Sequence, residues 1–460
     1  MMAGTLGGIC LGILAIKFIL SIGLRQRIQR WIVAISTSLM ESASISRKIG
    51  WRGFFEANLR AAGGHAIHRP FGTSIHFFQL DRYQFNPVVF SRNPFAMDVP
   101  IRTEVTLGPL SKKPLSIQTP IMIGGMSYGS SLSFQAKLAL ARASALAGTA
   151  INTGSGPFLE ETHKIAGKYV LQLPRSHWNR SVDIFHKVDM IEIALGHGAW
   201  GSSPVRISGK QVTSGFAKGI GAIPGLDVIL ESRLPEVETE GDLKALVGRL
   251  KELSNGVPIA IKLGGTHYIE RELEFILEAG VDVVVIDGSE GGTHASPTVL
   301  ADDVGLPTLP TLCRTARFFE EHSLKGKISL VIGGGLVTPG DFLKCLALGA
   351  DAVILGTVAC LAMSHTQVIK TIPWEPPTEL IYYGAKKAAH FNPDLGAKHL
   401  SNFFQSCLEE MKLAARTLGK TSLREITRDD LVALDPLYAD IAGVPYISPA
   451  EAQRRGEGRI

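Results

Sequence analysis

The chain has 460 residues, 45% of them apolar, and 47 Lys and Arg against 42 Asp and Glu give a net charge of +5. That length buries a large core with segments to spare, and the modest charge, with no basic patch interleaved with aromatics, excludes a nucleic-acid partner. The cysteines, Cys10, Cys313, Cys345, Cys360 and Cys407, are odd in number and form no C-x-x-C, so neither a disulfide framework nor a cysteine-rich metal site is expected and the body should face a reducing compartment.

Gly4 to Leu24 is apolar apart from Lys17 and a few Ser and Thr residues. As a helix it would be about 30 Å long, enough to cross a bilayer. Arg25, Arg27 and Arg30 follow, and the positive-inside tendency keeps them cytoplasmic. The expectation is a single-pass transmembrane anchor over 1–24, with the body on the cytoplasmic side of a membrane. A cleaved signal peptide competes, but the charges follow the apolar stretch rather than precede it. An apolar helix lying on the protein itself is the third reading. Trp31 to Ile35 suits the membrane interface. Residues 25–100 form a juxtamembrane region punctuated by prolines at its end. Its His65, His68 and His76 lack nearby acidic or cysteine ligands and read as surface or packing residues.

Strand-like apolar runs follow at 121–124, 149–152, 190–194, 226–230, 258–263, 282–287, 328–332 and 351–355. Helical patterns separate most of them: Ser133 to Ala147, Gly241 to Leu253, Glu270 to Ala279, Thr311 to Glu321 and Pro339 to Leu348. Eight strands alternating with helices predict a (β/α)8 barrel over 101–375, with 154–189 as an insertion. A doubly wound sheet is the alternative, but no convincing G-x-G-x-x-G turn supports it. The strand at Val283–Ile286 breaks into Asp287-Gly288-Ser289-Glu290-Gly291-Gly292, Ile328–Ile332 ends in Gly333-Gly334-Gly335, and Ala352–Leu355 ends in Gly356-Thr357. Adjacent glycine-ended loops suit a phosphate held at the last two strands. Trp374-Glu375-Pro376-Pro377 closes the barrel region. A C-terminal helical extension, 376–460, carries an amphipathic helix from His399 to Leu418 and a charged tail, Ala450 to Ile460, expected to be mobile.

Several stretches carry a family likeness. Asp287 through Pro297 resembles the Gly-x-Asp-Gly-Gly-Thr-Gly-Ala-Ser-Pro motif of the FMN domain of glutamate synthases. Gly124-Gly125-Met126-Ser127-Tyr128-Gly129-Ser130, Asn152-Thr153-Gly154, Ile259-Ala260-Ile261-Lys262-Leu263, Gly334-Gly335-Leu336 and Gly356-Thr357 resemble further family loops in the same order. The likeness covers about residues 100–430. It implies an FMN-binding (β/α)8 TIM barrel and an FMN-dependent oxidoreductase of glutamate biosynthesis, acting on CH–NH2 donors. Four departures stand out. Cys360-Leu361-Ala362-Met363-Ser364-His365 cannot supply the family's iron–sulfur thiolates, so no Fe–S cluster is expected, and no amidotransferase domain is expected ahead of the barrel. Ser155 stands where the family has a glutamate, and Trp200 where it has a lysine.

The resemblance implies cofactor contacts at Met126, Ser127, Asn152, Lys262, Gly291, Gly292, Gly334, Gly335, Gly356 and Thr357. Lys262, near the end of an aliphatic strand, is costly to bury without a negative partner. It reads either as the partner of Asp287 or Glu290 or as a cation at the flavin's N1–C2 edge. Glu290 and His294 are candidate proton donors, and Ser155, His197, Trp200 and Arg206 are candidates for an altered substrate pocket, with Arg206 as a candidate clamp on a carboxylate. No metal site is expected. No NAD(P)H domain is evident, so electrons should come from a partner protein or reduced carrier. A flavin-dependent isomerase and a membrane-tethered electron-transfer or binding subunit are the alternative functions.

Overall fold

Eight short aliphatic runs close into a parallel barrel: β1 (Ile121–Ile123), β2 (Ala150–Asn152), β3 (Lys168–Leu173), β4 (Met190–Ala194), β5 (Ile259–Gly264), β6 (Val283–Asp287), β7 (Ser329–Gly333) and β8 (Ala352–Leu355). Each pairs with the next, and β8 returns to β1 with Val353 opposite Ile121. The structure, a computed structural model, describes residues 2–293, 296–372 and 376–447, the side chains of 2–22 and 376 excepted. Trp374, Glu375 and the tail from Ala450 lie outside the described residues.

Seven strands fall where the sequence places them. The run at 226–230 does not enter the barrel: Val228–Leu230 pairs antiparallel with Val205–Ile207 as a ribbon in the long connection from β4 to β5. The missing strand is β3, inside the stretch expected to be an insertion. Its residues from Tyr169 onward are buried, and it joins β2 and β4 in parallel register.

Helices α1 (Phe134–Leu146), α2 (Glu240–Leu253), α3 (Ile269–Glu278), α4 (Thr308–Glu321), α5 (Pro339–Ala347) and α6 (Thr357–Ser364) lie along the chain between and after the strands. Their starts are locally encoded. Ser133 caps α1, and Thr239 and Thr338 form capping boxes with Asp242 and Asp341. The antiparallel strands Val105–Leu107 and Leu115–Ile117 bury all four of their terminal side chains with the inward residues of the barrel and plug its floor. Helix α7 (Pro393–Thr417) packs against α1 through Leu400, Phe404 and neighbouring residues of the main core.

The chain divides into two compact units, 1–67 and 68–460. The first holds one helical run, Met2–Gly63, broken at Gly50, whose φ is 73°. The transmembrane anchor expected over 1–24 is corrected here. The arginines meant to end a span continue the same helix, and among the described residues no helix is long and apolar enough to cross a membrane. Most side chains of 1–24 lie outside the described residues.

Candidate functional site

Alternate residues of a strand face the barrel axis, and on the floor they are apolar: Met122, Ala150, Val170, Met190, Ala260 and Val283 form one buried cluster. Two positions further along the same stripes the chemistry changes. Asn152, Gln172, Glu192 and Lys262, with Asp287 at the end of β6, are polar and still buried. Strand ends at the C-terminal face are where barrel sites form.

Lys262 Nζ stands 3.2 Å from Asp287 Oδ2. Burial opposes its charge, but Asp287 and Glu192 outweigh burial and hold the ammonium above the ordinary lysine range. Of the two readings of Lys262, its pairing with Asp287 is therefore present, while the residue also lines both cavities described below. Glu192 Oε1 accepts from Asn152 Nδ2 at 2.9 Å and from Gln172 Nε2 at 2.6 Å. Ser155 Oγ donates to Gln172 Oε1 at 2.9 Å, and Asn152 Oδ1 accepts from the Gly154 N–H at 2.8 Å. The Asn152 amide is thus committed to the framework beneath the pocket.

Two cavities open above this layer. The larger, of about 610 Å³, is bounded by Gly334, Gly335, Gly356 and Thr357 on one side and by residues 71–81 on the other. A side chain at Gly334, where φ is 115°, would sit 2.3 Å from Thr308 Oγ1, so only glycine fits there. Gly356 is the N-cap of α6, and the space above its Cα is open. Glycine backbone beside a helix N-terminus suits a phosphate-bearing ligand. The smaller cavity, of about 280 Å³, is lined by Ser127, Ser155, His197, Trp200 and Arg206. Met126, Lys262, Gly292, Gly356 and Thr357 border both, and Gly291 and Glu290 border the larger.

The side chains differ from expectation in detail. Glu290 is spent on α4: its Oε2 accepts from Thr308 N–H and Oγ1, each at 2.8 Å, so its carboxylate holds a helix start rather than standing free as a proton donor. Burial raises its pKa. Arg206 is largely exposed and bonds Asp227 across the ribbon, through Nε at 2.7 Å; it is not a free carboxylate clamp. Burial and then Lys262 push His197 down to about 4, so its ring is neutral near pH 7. Trp200 Nε1 donates to Thr293 Oγ1. His294 lies outside the described residues.

Sequence reasoning missed Gln172 and Glu192 because it missed β3 and read β4 only as a buried run. It also missed the strap of residues 68–81. His68–Arg69 pairs with Ser296–Pro297, Phe71 N–H donates to Thr293 O at 2.8 Å, and Arg69 grips buried Asp302 with two bonds of 3.1 and 2.6 Å. These tethers draw residues 71–81 over the larger cavity. The distant Arg–Asp pairing leaves no local sequence signal.

Against known proteins, residues 85–421 match the family model described as a conserved region in glutamate synthase. A glutamate synthase large subunit-like protein of Rhizobium meliloti is 30% identical over 411 residues, covering 85% of this chain and 92% of its own length. The archaeal glutamate synthase [NADPH] of Archaeoglobus fulgidus is 29% identical over 339 residues, covering 72% of this chain. The chain spans only 65% of that relative's length. Among solved structures, a lactate oxidase of Pediococcus acidilactici superposes with a TM-score of 0.50 at 15% identity, covering 77% of this chain and 84% of that one. An (S)-mandelate dehydrogenase mutant also gives 0.50 at 15%, covering 76% and 88%. At that identity the likeness concerns the barrel fold alone.

Proposed function

The chain belongs to the glutamate synthase family, and from that premise we propose that it is an FMN-dependent oxidoreductase that reduces a 2-imino or 2-oxo-acid-derived acceptor unlike that of glutamate synthase itself. The observation that carries the reading is the pair of adjacent glycine loops, on β7 and β8, facing one cavity with Lys262 beside it. FMN, when bound, supplies the hydride equivalent that the side chains lack. Gly334, Gly335, Gly356 and Thr357 would hold its phosphate by backbone N–H groups and a hydroxyl. Lys262 Nζ would face the ring's N1–C2 edge and favour the reduced, anionic form. The strap from His68 excludes water from one side. Reducing equivalents reach the flavin from a partner protein or reduced carrier.

The altered acceptor rests on the smaller cavity. Ser155 and Trp200 replace a carboxylate and a cation of the family pattern, and Arg206 is engaged by Asp227. A dicarboxylate thereby loses a charge-assisted contact worth about 1.5–3 kcal/mol, one to two decades in affinity. The aromatic face of Trp200 favours a larger or less charged ligand. In the test, dithionite-reduced protein is mixed with 2-oxoglutarate and ammonia. Slow flavin reoxidation, with faster reoxidation by a less charged 2-oxo acid in a panel, is expected. Rapid reoxidation with stoichiometric glutamate contradicts the altered acceptor.

A further inference from the structure

Lys137 lies on α1, away from the strand ends, and its side chain is among the most completely buried in the protein. Its Nζ donates to three backbone carbonyls: Met126 O at 2.8 Å, Asn152 O at 3.2 Å and Thr153 O at 3.3 Å. No carboxylate pairs with it among the described residues; the ionisable group that faces it is the Cys360 thiol, on α6. A buried ammonium with only carbonyl partners is expensive, and a well-packed apolar side chain would cost the fold less. Packing therefore does not account for it.

The three carbonyls identify what it serves. They belong to the loops after β1 and β2, and Met126, Ser127 and Ser155 of those loops line the cavities assigned to cofactor and substrate. Each carbonyl shares its peptide with the N–H of the next residue, Ser127, Thr153 or Gly154. Hydrogen bonding to a carbonyl polarises that peptide and strengthens the N–H as a donor. Charge points the same way. Within the barrel strands themselves the buried charged groups are Lys262, Asp287 and Glu192, a net charge of −1 when all are ionised, while Arg175, buried just past β3, spends its guanidinium on the carbonyls of Ser202, Ser203 and Ser232. Glu192 is joined to the Lys137 ammonium through a single residue, since Asn152 Nδ2 donates to the carboxylate and Asn152 O accepts from Lys137. Lys137 adds a positive charge on the Glu192 side of this set.

Resting on the FMN reading, we infer that Lys137 is a positioning residue that raises the reduction potential of the bound flavin, offsetting Glu192 and polarising the Met126–Ser127 peptide from behind the pocket wall. It touches neither cofactor nor substrate. The reduced anionic flavin gains from the added positive charge, while the neutral oxidised ring gains less.

The test compares holoprotein potentials of the wild type, K137M and K137Q by dye equilibration at pH 6, with FMN affinity measured in parallel by fluorescence quenching. Methionine removes charge and donors together; glutamine removes the charge but keeps two N–H donors for the carbonyls. Both variants are expected to favour reduced over oxidised FMN about tenfold less than the wild type does. That ratio is a fall of about 30 mV in the two-electron potential. If K137M does not fold, the K137Q potential decides. A K137Q potential equal to the wild type overturns the inference, because a clamp acting through hydrogen bonds alone would leave it unmoved. Failure of the wild type to bind FMN at all would instead overturn the proposed function on which the inference rests.

Discussion

Lys137 also makes a prediction about stability, independent of any cofactor. Burial pushes its ammonium down to about 7 from the ordinary 10.5. Between those two values the unfolded chain holds one proton more than the folded chain at this position, so its contribution makes the fold more stable as pH rises through the window. Below the window both states are protonated and the cost of the buried charge is fully present. Urea unfolding of wild type and K137M at several pH values from 6 to 10 should show the wild type gaining on the variant across that window; parallel profiles would mean that the ammonium is not destabilised by burial. In the sequence this residue reads as one more lysine in an alanine-rich helix. What marks it is the approach of two loops to α1, a tertiary fact. Lys262 was legible for the opposite reason, because an aliphatic strand on both sides announces its burial. Glu290 shows the limit of reading roles from loops: its place beside the cavity was anticipated, but its commitment to Thr308 depends on where α4 begins.

Among the elements, the glycine-ended strands were readable because they follow local rules: a β-branched run, then residues that allow close backbone approach. The third strand was not. It lies in a segment broken by glycines and prolines, and Lys168 and Gln172 interrupt its apolar run, whereas the ribbon strand Val228–Leu230 is apolar enough to imitate a barrel strand. Only closure of the barrel, with Gln172 set opposite Glu192 between β3 and β4, distinguishes them. The strap is the element with most to say about cofactor exchange. Arg69 and Asp302 are 233 positions apart in sequence, and Asp302 is 4% exposed in its side chain, so breaking the pair releases one end of the cover. In D302A the rate of FMN dissociation, followed by recovery of flavin fluorescence, should rise about tenfold, equivalent to about 1.4 kcal/mol of closure free energy. An unchanged rate would show that the strap stays closed without this tether.

For the molecule as a whole, a barrel of the glutamate synthase family carries the candidate site at the C-terminal ends of its strands. The floor is apolar, the strand ends carry a set of buried charges, and two cavities share the wall of Met126, Lys262 and Gly292. In the proposed function the loops of β7 and β8 hold the phosphate, and Ser155 and Trp200 face the acceptor. By that proposal the glycine loops on the last two strands hold FMN by its phosphate, and calorimetric titration of the apoprotein with FMN and with riboflavin tests that placement. One FMN per chain is expected, bound at least about a hundredfold more tightly than riboflavin, which corresponds to about 2.7 kcal/mol from the phosphate. In G356E, where the structure leaves open space for a side chain, most of that difference should vanish. Equal affinity for FMN and riboflavin, or a G356E variant that keeps the full preference for FMN, would contradict the account.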